Sequence, residues 1–292
     1  MDSGKGVYTP WGYSSLTHQH GGISLQDNDD SVDDSVAFLV PTYIEVDVMK
    51  FKSRLLSLVA MLTLSCLAHA QGLTGSTVPT EKGDLVIHPV SHASFVLGWN
   101  GTTIYVDPVG GVGAYDGLPR PDLVLVTDIH GDHLDGNTLN GVVAYAQIIA
   151  PGAVVSQLPG GLVERAVSMS NGVSTERFGI KIEAVPMYNL TEDRLQYHEK
   201  GRGNGYVLTF GDTRVYISGD TEDIPEMRAL EDIDVAFVCF NLPYTMTESQ
   251  AASAVNEFRP GIVYPYHYRG SDLALFTSLV DDGIEVREGG WY

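Results

Sequence analysis

The stretch TDIHGDHLD, residues Thr127–Asp135, places two histidines and three aspartates in nine positions. It directly follows the purely apolar run Leu123–Val126, which is typical of a buried strand. A fold gains no stability from crowded carboxylates unless a cationic group lies among them. The stretch therefore predicts a bound metal ion, for which distant parts of the chain must supply further ligands.

The spacing inside this stretch suits two metal ions. Asp128 and His130 are two residues apart, so their side chains point to one side of an extended chain. Asp132 and His133 come after the turn at Gly131, where the chain enters a predicted helix, and they can face a second ion. The pattern therefore predicts two ions a few ångströms apart, joined by a water or a hydroxide.

Composition and charge limit the partners of the chain. The 292 residues are 43% hydrophobic and 18% charged, which is ordinary for a globular protein with a substantial core. The net charge of −20 argues against nucleic acid and anionic membranes, because binding them requires a basic patch. A small-molecule substrate is expected, and it can be an anion whose charge is met by a metal ion and one arginine.

An export signal is predicted near residue 50. Met49–Arg54 is basic, Leu55–Leu67 is apolar, and Ala68–Ala70 has small residues at both ends. This order is typical of a secretory signal peptide, and the apolar run is shorter than the roughly 20 residues that a membrane span needs. Residues 49–70 therefore predict a periplasmic or secreted protein with no stable membrane anchor after cleavage.

The signal peptide divides the rest of the chain. Residues 1–48 hold one lysine against eight acidic residues, and we interpret them as a disordered or mis-assigned leader. The alternative is a genuine acidic extension with an uncleaved anchor. Residues 71–292 predict one domain. Its single cysteine, Cys239, lies in an apolar run and is expected to be buried and inert.

Periodicity predicts a mixture of strands and helices in residues 71–292. The predicted strands are Leu85–Val90, Ser94–Trp99, Thr103–Val106, Leu123–Val126, Gln147–Ala150, Ile180–Val185, Gly205–Phe210, Arg214–Ile217, Val235–Phe240, Ile262–Tyr266 and Ile284–Arg287. The predicted helices are Asp135–Ala144, Leu158–Val167, Ile224–Leu230, Thr247–Phe258 and Ser271–Val280. This alternation predicts an α/β (α+β) domain of two mixed sheets packed on each other, with the helices outside.

Several motifs in order carry a family resemblance. The pattern Asp-x-His-x-Asp-His at residues 128–133 resembles the His-x-His-x-Asp-His signature of the metallo-β-lactamase superfamily. The other matching motifs are HASF (92–95), TIYVDP (103–108), YISGDT (216–221) and YPYHYRG (264–270). They resemble the branch that contains ascorbate-6-phosphate lactonase and similar hydrolases. The resemblance covers about residues 85–288 and implies a four-layer αββα sandwich.

The resemblance also implies a set of metal ligands. It assigns Asp128 and His130 to one ion, Asp132, His133 and His267 to the other, and Asp220 to both. The family usually has histidine at the position of Asp128. It also has a third histidine on the first ion, in the loop after Ile182–Val185, where this chain offers Asn189 or, further along, His198.

These departures bear on the identity of the metal. Replacing imidazole with carboxylate or amide oxygen shifts the preference of the first site from zinc towards manganese, magnesium or iron. One or two divalent ions are therefore expected, zinc or manganese first, with iron and magnesium left open. A lower occupancy of the first site would leave a mononuclear enzyme.

The expected chemistry is hydrolysis. A bound divalent ion lowers the pKa of its water from about 16 towards 7, which supplies hydroxide at neutral pH. The expected substrate is a small ester, lactone or phosphoester. Asp132 is predicted to orient the nucleophile, and Asp132, His198 or a water molecule to protonate the leaving group. A β-lactam hydrolase and a non-catalytic metal-binding protein of the same fold are the alternatives.

Four further residues are candidate substrate contacts. His92 is placed beside the pocket as a hydrogen-bonding residue, and Arg202, Tyr244 and Arg269 as contacts to the substrate. Arg202 lies in KGRGNG, which lacks the strand-to-helix context of a nucleotide-binding loop and is better explained as a turn. The oligomeric state is left open.

Overall fold

The computed structural model describes residues 72–292. The predicted leader at residues 1–48 and the predicted signal peptide at 49–70 lie outside these described residues, and the division into domains stays a prediction. Within the described part of the chain, no helix is long and apolar enough to cross a membrane.

The first half of the domain forms a seven-stranded sheet in sequence order. Its strands are β1 (Ser76–Thr80), β2 (Gly83–Ser91), β3 (Ser94–Trp99), β4 (Thr102–Val106), β5 (Leu123–Leu125), β6 (Gln147–Ala150) and β7 (Ala166–Ser168). Strands β1 to β4 form an antiparallel meander, and β4 to β7 run parallel. The turn between β3 and β4 uses Asn100 and Gly101, both with positive φ (48° and 79°), as a two-residue hairpin requires.

The second half forms another seven-stranded sheet with the same connectivity. Its strands are β8 (Ser174–Arg177), β9 (Ile180–Met187), β10 (Gly203–Phe210), β11 (Thr213–Ile217), β12 (Val235–Cys239), β13 (Ile262–Tyr266) and β14 (Glu285–Val286). Strands β8 to β11 are antiparallel, and β11 to β14 are parallel. Each sheet therefore ends in a parallel half, whose strands all present their carboxyl ends at one edge.

The main core lies between the two sheets. Phe95 of β3 stacks on Phe237 of β12 with ring centroids 4.4 Å apart, and both are fully buried. The described helices are α1 (Gly136–Val142), α2 (Gly152–Val155), α3 (Gly160–Val163), α4 (Pro225–Arg228), α5 (Glu248–Phe258) and α6 (Leu273–Leu279), with 3₁₀ turns at Val112–Tyr115 and Glu192–Arg194. Apolar residues of α1 to α3 form a second buried cluster with β4 to β6. The prediction of two mixed sheets with outer helices is confirmed.

Two predicted helix caps are present in the structure, whereas one predicted helix is mostly absent. Asp135 caps α1 by accepting from the backbone N–H of Asn137, and Thr247 forms a capping box with Gln250 at the start of α5. The helix predicted at Leu158–Val167 is wrong beyond its first turn. Its last residues instead add β7 to the sheet edge, where Val167 pairs with Ile149, because strand pairing outweighs local helix propensity.

The lone thiol of the described residues is sealed in the core. Cys239 ends β12 with no exposed surface, and burial raises its pKa to about 12. A thiol with so high a pKa holds almost no thiolate at neutral pH and is therefore unreactive. The prediction of a buried, inert cysteine is confirmed.

Candidate metal centre

Carboxyl ends of parallel strands from both sheets meet at one edge of the domain. Asp107 follows β4 and the stretch Thr127–Asp135 follows β5 in the first sheet. Asp220 follows β11 and His267 follows β13 in the second. Because parallel strands all end at the same edge, residues far apart in sequence are brought together there.

Asp107 holds His133 in one orientation. The fully buried carboxylate of Asp107 accepts hydrogen bonds from the backbone N–H and the hydroxyl of Thr127 at 2.7 and 2.6 Å. It also lies 2.8 Å from Nδ1 of His133 and accepts its hydrogen bond, so that a neutral His133 would present the lone pair of Nε2 to an ion. This role of Asp107 was not predicted, although an aspartate directly after a buried strand is a signal for one.

The strand-end cluster consists of His133, Asp220 and His267, whose donor atoms lie within 4.8 Å of one another. Nε2 of His133 lies 3.2 Å from Oδ2 of Asp220, and Nε2 of His267 lies 3.5 Å from Oδ1 of Asp220. All three side chains are buried. The structure thus brings together the three residues on which the prediction of a shared metal centre depended.

Asp220 reaches the cluster through a turn that only glycine fits. Gly219 has φ of 60°, and a Cβ atom there would lie 2.6 Å from Sδ of Met187. The chain therefore bends sharply after β11 and directs the next side chain between the two sheets.

Asp132 and His92 border the strand-end cluster on its outer side. Oδ2 of Asp132 lies 3.3 Å from Nε2 of His267 and 3.3 Å from Nε2 of His92. The rings of His92 and His267 are 3.8 Å apart, and Nδ1 of His92 contacts the hydroxyl of Tyr292. His92 therefore lies among the donor groups, closer to the centre than the sequence analysis placed it.

The loop cluster consists of Asp128, His130 and His198, whose donor atoms also lie within 4.8 Å of one another. Nδ1 of His130 lies 2.6 Å from Oδ2 of Asp128. His198 comes from the loop between β9 and β10, and its Nε2 lies 3.3 Å from Oδ2 of Asp220 and 4.0 Å from Oδ2 of Asp128. Asp220 therefore contacts residues of both clusters.

Asn189 supports this loop from behind. Its amide donates hydrogen bonds to the carbonyls of Arg194 and Tyr244 at 3.0 and 2.7 Å, and its backbone N–H donates to the carbonyl of His198 at 2.8 Å. Its Oδ1 is buried without a hydrogen-bond partner among the described residues. Of the two candidates for the third ligand of the first ion, the geometry favours His198.

Arg202 takes a position that was not predicted. Its Nε and one terminal nitrogen each lie 3.3 Å from an oxygen of the buried Asp128 carboxylate. Arg202 also donates to the carbonyl of Tyr197, and it does not line the cavity described below. Its role as a substrate contact stays a prediction, and its observed contacts make it a counter-charge for Asp128.

Charges of opposite sign compensate each other throughout the centre. Burial alone would raise the pKa of Asp220, but the charges of His267 and His133 outweigh it and hold the pKa well below its usual range. Burial alone would lower the pKa of His133, but Asp220 and Asp107 raise it well above 6.5. Burial also opposes ionisation of Asp132, yet contacts with His267 and His92 lower its pKa.

Strained backbone and unpaired polar atoms mark the same place. His92, Asp107 and His267 all have positive φ (53°, 43° and 50°), which is uncommon for residues other than glycine and concentrates at functional sites. Nε2 of His133 and Oδ1 of Asp220 are buried without hydrogen-bond partners within the described residues. Such atoms are costly unless something binds them, and imidazole nitrogen with carboxylate oxygen suits a divalent ion. The residues present therefore fit the predicted metal.

A cavity of about 610 Å³ opens onto the centre. It is lined by His92, His130, Asp132, Tyr197, His198, Asp220, Asn241, Leu242, Pro243, Tyr244, His267 and Arg269. Tyr244 and Arg269, two of the predicted substrate contacts, are among them. A cavity of this volume is in the range that holds a small molecule.

Comparison with known proteins identifies the family. A family described as "Beta-lactamase superfamily domain" matches residues 87–267, more than half of the chain and all of the centre. The chain belongs to the metallo-β-lactamase superfamily. The resemblance given by the motifs is thereby confirmed at the level of the superfamily, and the branch of ascorbate-6-phosphate lactonase stays a prediction.

Individual members of the superfamily are similar over most of their length. A UPF0173 metal-dependent hydrolase of Thermococcus onnurineus is 31% identical over 178 residues, which are 56% of this chain and 77% of that protein. One of Deinococcus radiodurans is 27% identical over 70% of this chain and 92% of its own. These relatives support a metal-dependent hydrolase and do not specify the bond that is cleaved.

Solved structures agree with this assignment. A candidate metal-dependent hydrolase from Parabacteroides distasonis is 40% identical, with a TM-score of 0.69 over 76% of this chain and 100% of that chain. Igni18, a metallo hydrolase from Ignicoccus hospitalis, has a TM-score of 0.57 at 21% identity, over 70% of this chain and 96% of its own, and shows the fold alone.

Proposed function

We propose that this member of the superfamily uses one or two divalent metal ions to hydrolyse a small ester, lactone or phosphoester. The observation that carries the proposal is the position of Asp220, between His133 and His267 on one side and His198 on the other. A buried carboxylate surrounded by imidazoles from both sheets is expensive to assemble for stability alone. It is the arrangement expected of a ligand shared by two ions.

The division of ligands follows from the two clusters. Asp128, His130 and His198 would hold the first ion, while Asp132, His133 and His267 would hold the second, and Asp220 would contact both. The metal identity stays open between zinc and manganese, with iron and magnesium as further candidates, because each set mixes nitrogen with oxygen donors. Bound divalent ions would supply a nucleophile from water at neutral pH and a Lewis acid for the developing negative charge.

Asp132 is the residue that we assign to proton handling. Its side chain is 44% exposed and lines the cavity, whereas Asp128 and Asp220 are buried. Contacts from His92 and His267 at 3.3 Å hold one of its oxygens, which leaves the other to accept a hydrogen bond from an attacking water. A carboxylate fixed in this way orients the water and takes its proton.

Protonation of the leaving group follows from the same geometry. His198 is buried, and its Nε2 is directed at Asp220 and Asp128, which suits a ligand better than an acid. Asp132, once protonated, is the carboxylic acid that reaches the cavity. We therefore propose that Asp132 returns the proton to the leaving group and that His198 has no acid role.

We also propose a periplasmic or secreted location and a small-molecule substrate. The basic, apolar and small-residue segments of residues 49–70 support a periplasmic or secreted protein without a stable membrane anchor. The net charge of −20 supports a small-molecule substrate rather than nucleic acid.

Metal content and a substrate screen test the proposed function together. The purified protein is stripped, reloaded with Zn²⁺ or Mn²⁺, and assayed on chromogenic esters, lactones, bis-p-nitrophenyl phosphate and a chromogenic β-lactam. We expect hydrolysis of an ester, lactone or phosphoester that is lost on stripping, restored by reloading, and lost again in Asp132→Ala. Asp282→Ala, which removes an exposed carboxylate outside the cavity, serves as the matched control.

Two other results would replace the proposal. Full metal occupancy without turnover of any substrate would identify a non-catalytic metal-binding protein. Turnover restricted to the β-lactam would identify a β-lactam hydrolase. Activity that survives metal removal would contradict both the metal centre and the proposed mechanism.

A further inference from the structure

We propose that the substrate is an organic carboxylate with an apolar group, bound by Arg269 at its charged end and by a wall of Tyr197, Leu242 and Tyr244 at its apolar end. This inference rests on the proposed function for the reacting bond, but it concerns the non-reacting parts of the substrate. It follows from lining residues of the cavity that belong to neither cluster.

The apolar wall is exposed although its side chains are of the kind that folding buries. Leu242 is 45% and Tyr244 is 47% exposed, and both line the cavity next to Pro243. Tyr197 meets Tyr244 edge to face, with ring centroids 5.2 Å apart. Apolar and aromatic side chains that converge on a metal-bearing cavity provide a contact surface for an apolar part of a ligand.

The backbone beneath this wall is firmly tied. The carbonyl of Asn241 accepts hydrogen bonds from the N–H groups of Tyr244 and Thr245, and the hydroxyl of Thr245 accepts one from the N–H of Asn241. The carbonyl of Tyr244 accepts from Asn189 and that of Thr245 from Arg194. The backbone that carries the exposed side chains is therefore held in place before any ligand binds, which lowers the entropy cost of binding.

The charged end of the site is Arg269. Among the lysines and arginines of the described residues, it is the one that lines this cavity, and it forms no ion pair with any described residue. Its guanidinium lies over the ring of Tyr292, 5.6 Å from the centroid, and its backbone N–H donates to the hydroxyl of Tyr292 at 3.1 Å. An oriented guanidinium without a partner is suited to bind a carboxylate through two parallel hydrogen bonds.

The contrast with Arg202 strengthens this assignment. Arg202 is paired with Asp128, as described above, and does not line the cavity. Arg269 is exposed, and the phenol ring of Tyr292 beneath its guanidinium carries no charge. A chain with a net charge of −20 repels anions in general, so the substrate anion must be met by a local positive charge.

Binding of three related compounds to the metal-loaded protein tests the inference without requiring turnover. The probes are 4-phenylbutyrate, its neutral amide 4-phenylbutanamide, and butyrate, which keeps the carboxylate and lacks the ring. Dissociation constants are measured by titration calorimetry. We expect 4-phenylbutyrate to bind more tightly than both of the other compounds.

The charged end is tested by Arg269→Gln. We expect this variant to bind 4-phenylbutyrate about tenfold more weakly, the size of one charge-assisted hydrogen bond at a partly exposed site. The preference over the amide should fall by the same factor, which separates Arg269 from any attraction of the carboxylate to the metal ions. Arg120→Gln, which removes an exposed arginine outside the cavity, should change neither constant.

The apolar end is tested by Leu242→Ala and Tyr244→Ala. Each should weaken 4-phenylbutyrate about threefold or more while leaving butyrate unchanged, because only the ring contacts the wall. Leu279→Ala, at an exposed leucine outside the cavity, is the control.

Two results would overturn the inference while leaving the proposed hydrolase intact. Equal binding of the acid and the amide, or an unchanged preference for the acid in Arg269→Gln, would contradict carboxylate binding by Arg269. An unchanged affinity for 4-phenylbutyrate in both alanine variants would contradict binding of the ring by the apolar wall. Failure of the proposed function would appear separately, as the absence of turnover in the substrate screen.

Discussion

The strand-end cluster and the loop cluster contain similar donors but are built differently. His267 follows β13 directly, Asp220 lies on the turn after β11, and His133 lies on the turn before α1, where Asp107 fixes its ring from behind. Asp128, His130 and His198 depend on the loop between β9 and β10 for their third member. Nδ1 of His198 has no hydrogen-bond partner among the described residues, and a ring without such support is held less accurately than the ring of His133.

The two clusters also differ in their counter-charges. Among the described residues, Asp220 of the strand-end cluster forms no ion pair with a lysine or an arginine. Asp128 of the loop cluster, in contrast, is already paired with Arg202. An ion that binds Asp128 must share this carboxylate with a guanidinium. We therefore expect the strand-end cluster to bind its ion more tightly and the loop cluster to lose its ion first.

The largest effect is expected from Asp220→Asn, which removes the charge that both clusters share. Loss of this charge leaves three neighbouring imidazoles without their common counter-ion. Activity should fall by more than about a hundredfold, beyond the range typical of residues that only orient a ligand. Metal content per chain, measured by mass spectrometry of the digested protein, should fall at the same time. Asp282→Asn should leave both values unchanged.

Asp107→Asn should damage the strand-end cluster alone. The substitution removes the charge that fixes the tautomer of His133, and such partners typically contribute ten- to hundredfold, so we expect a loss of about that size in metal affinity. Competition with a chromogenic chelator measures the two affinities separately. Asp122→Asn is a matched control, because Asp122 also accepts a backbone hydrogen bond but lies outside both clusters. An equal loss at both sites would contradict the separation of the clusters.

His198→Ala and Asn189→Ala compare the two candidates for the loop cluster. His198→Ala should lower the metal content from about two ions per chain towards one, because it removes the ligand that completes the first site. Asn189→Ala should leave the metal content unchanged, since its amide bonds two backbone carbonyls. His88→Ala controls for the loss of a histidine outside the clusters. The opposite pattern would assign the ligand to Asn189.

The smallest effect is expected from Tyr292→Phe, at the outer border of the strand-end cluster. The change keeps the ring under Arg269 and removes the hydroxyl that contacts Nδ1 of His92. The hydroxyl also accepts from the backbone N–H of Arg269, so two hydrogen bonds of ~0.5–1.5 kcal/mol each are lost, and kcat should fall about threefold to tenfold. Tyr145→Phe, at a residue that is 89% exposed, should change nothing. A fall in metal content would show that Tyr292 supports the ligands as well.

Much of the fold was readable from the sequence because its signals are local. Ser94–Trp99, Gln147–Ala150 and Ile262–Tyr266 were predicted to the residue, since each is an apolar run bounded by turn-forming residues. Strands β1, β7 and β8 were missed. They are short or polar edge strands, exposed along much of their length, and their pairing partners rather than their own pattern define them.

The centre was predictable where its residues lie in motifs and unpredictable where the fold assembles them. The motif at residues 128–133 and the order of the later motifs led to Asp220 and His267. Three features of the centre were not predicted: the orienting role of Asp107, the pairing of Arg202 with Asp128, and the inward path of the loop that carries His198. Each depends on a contact between residues at least 22 positions apart, the separation of His198 and Asp220, which no local pattern encodes.

The distribution of donors over the two sheets has a mechanical consequence. The first sheet supplies Asp132 and His133, and the second supplies Asp220 and His267. An ion bound between them would cross-link the two sheets, so that the sheets could not separate without breaking coordination bonds. Chelation should then loosen the whole domain rather than one corner of it, and the melting temperature should follow the concentration of free metal.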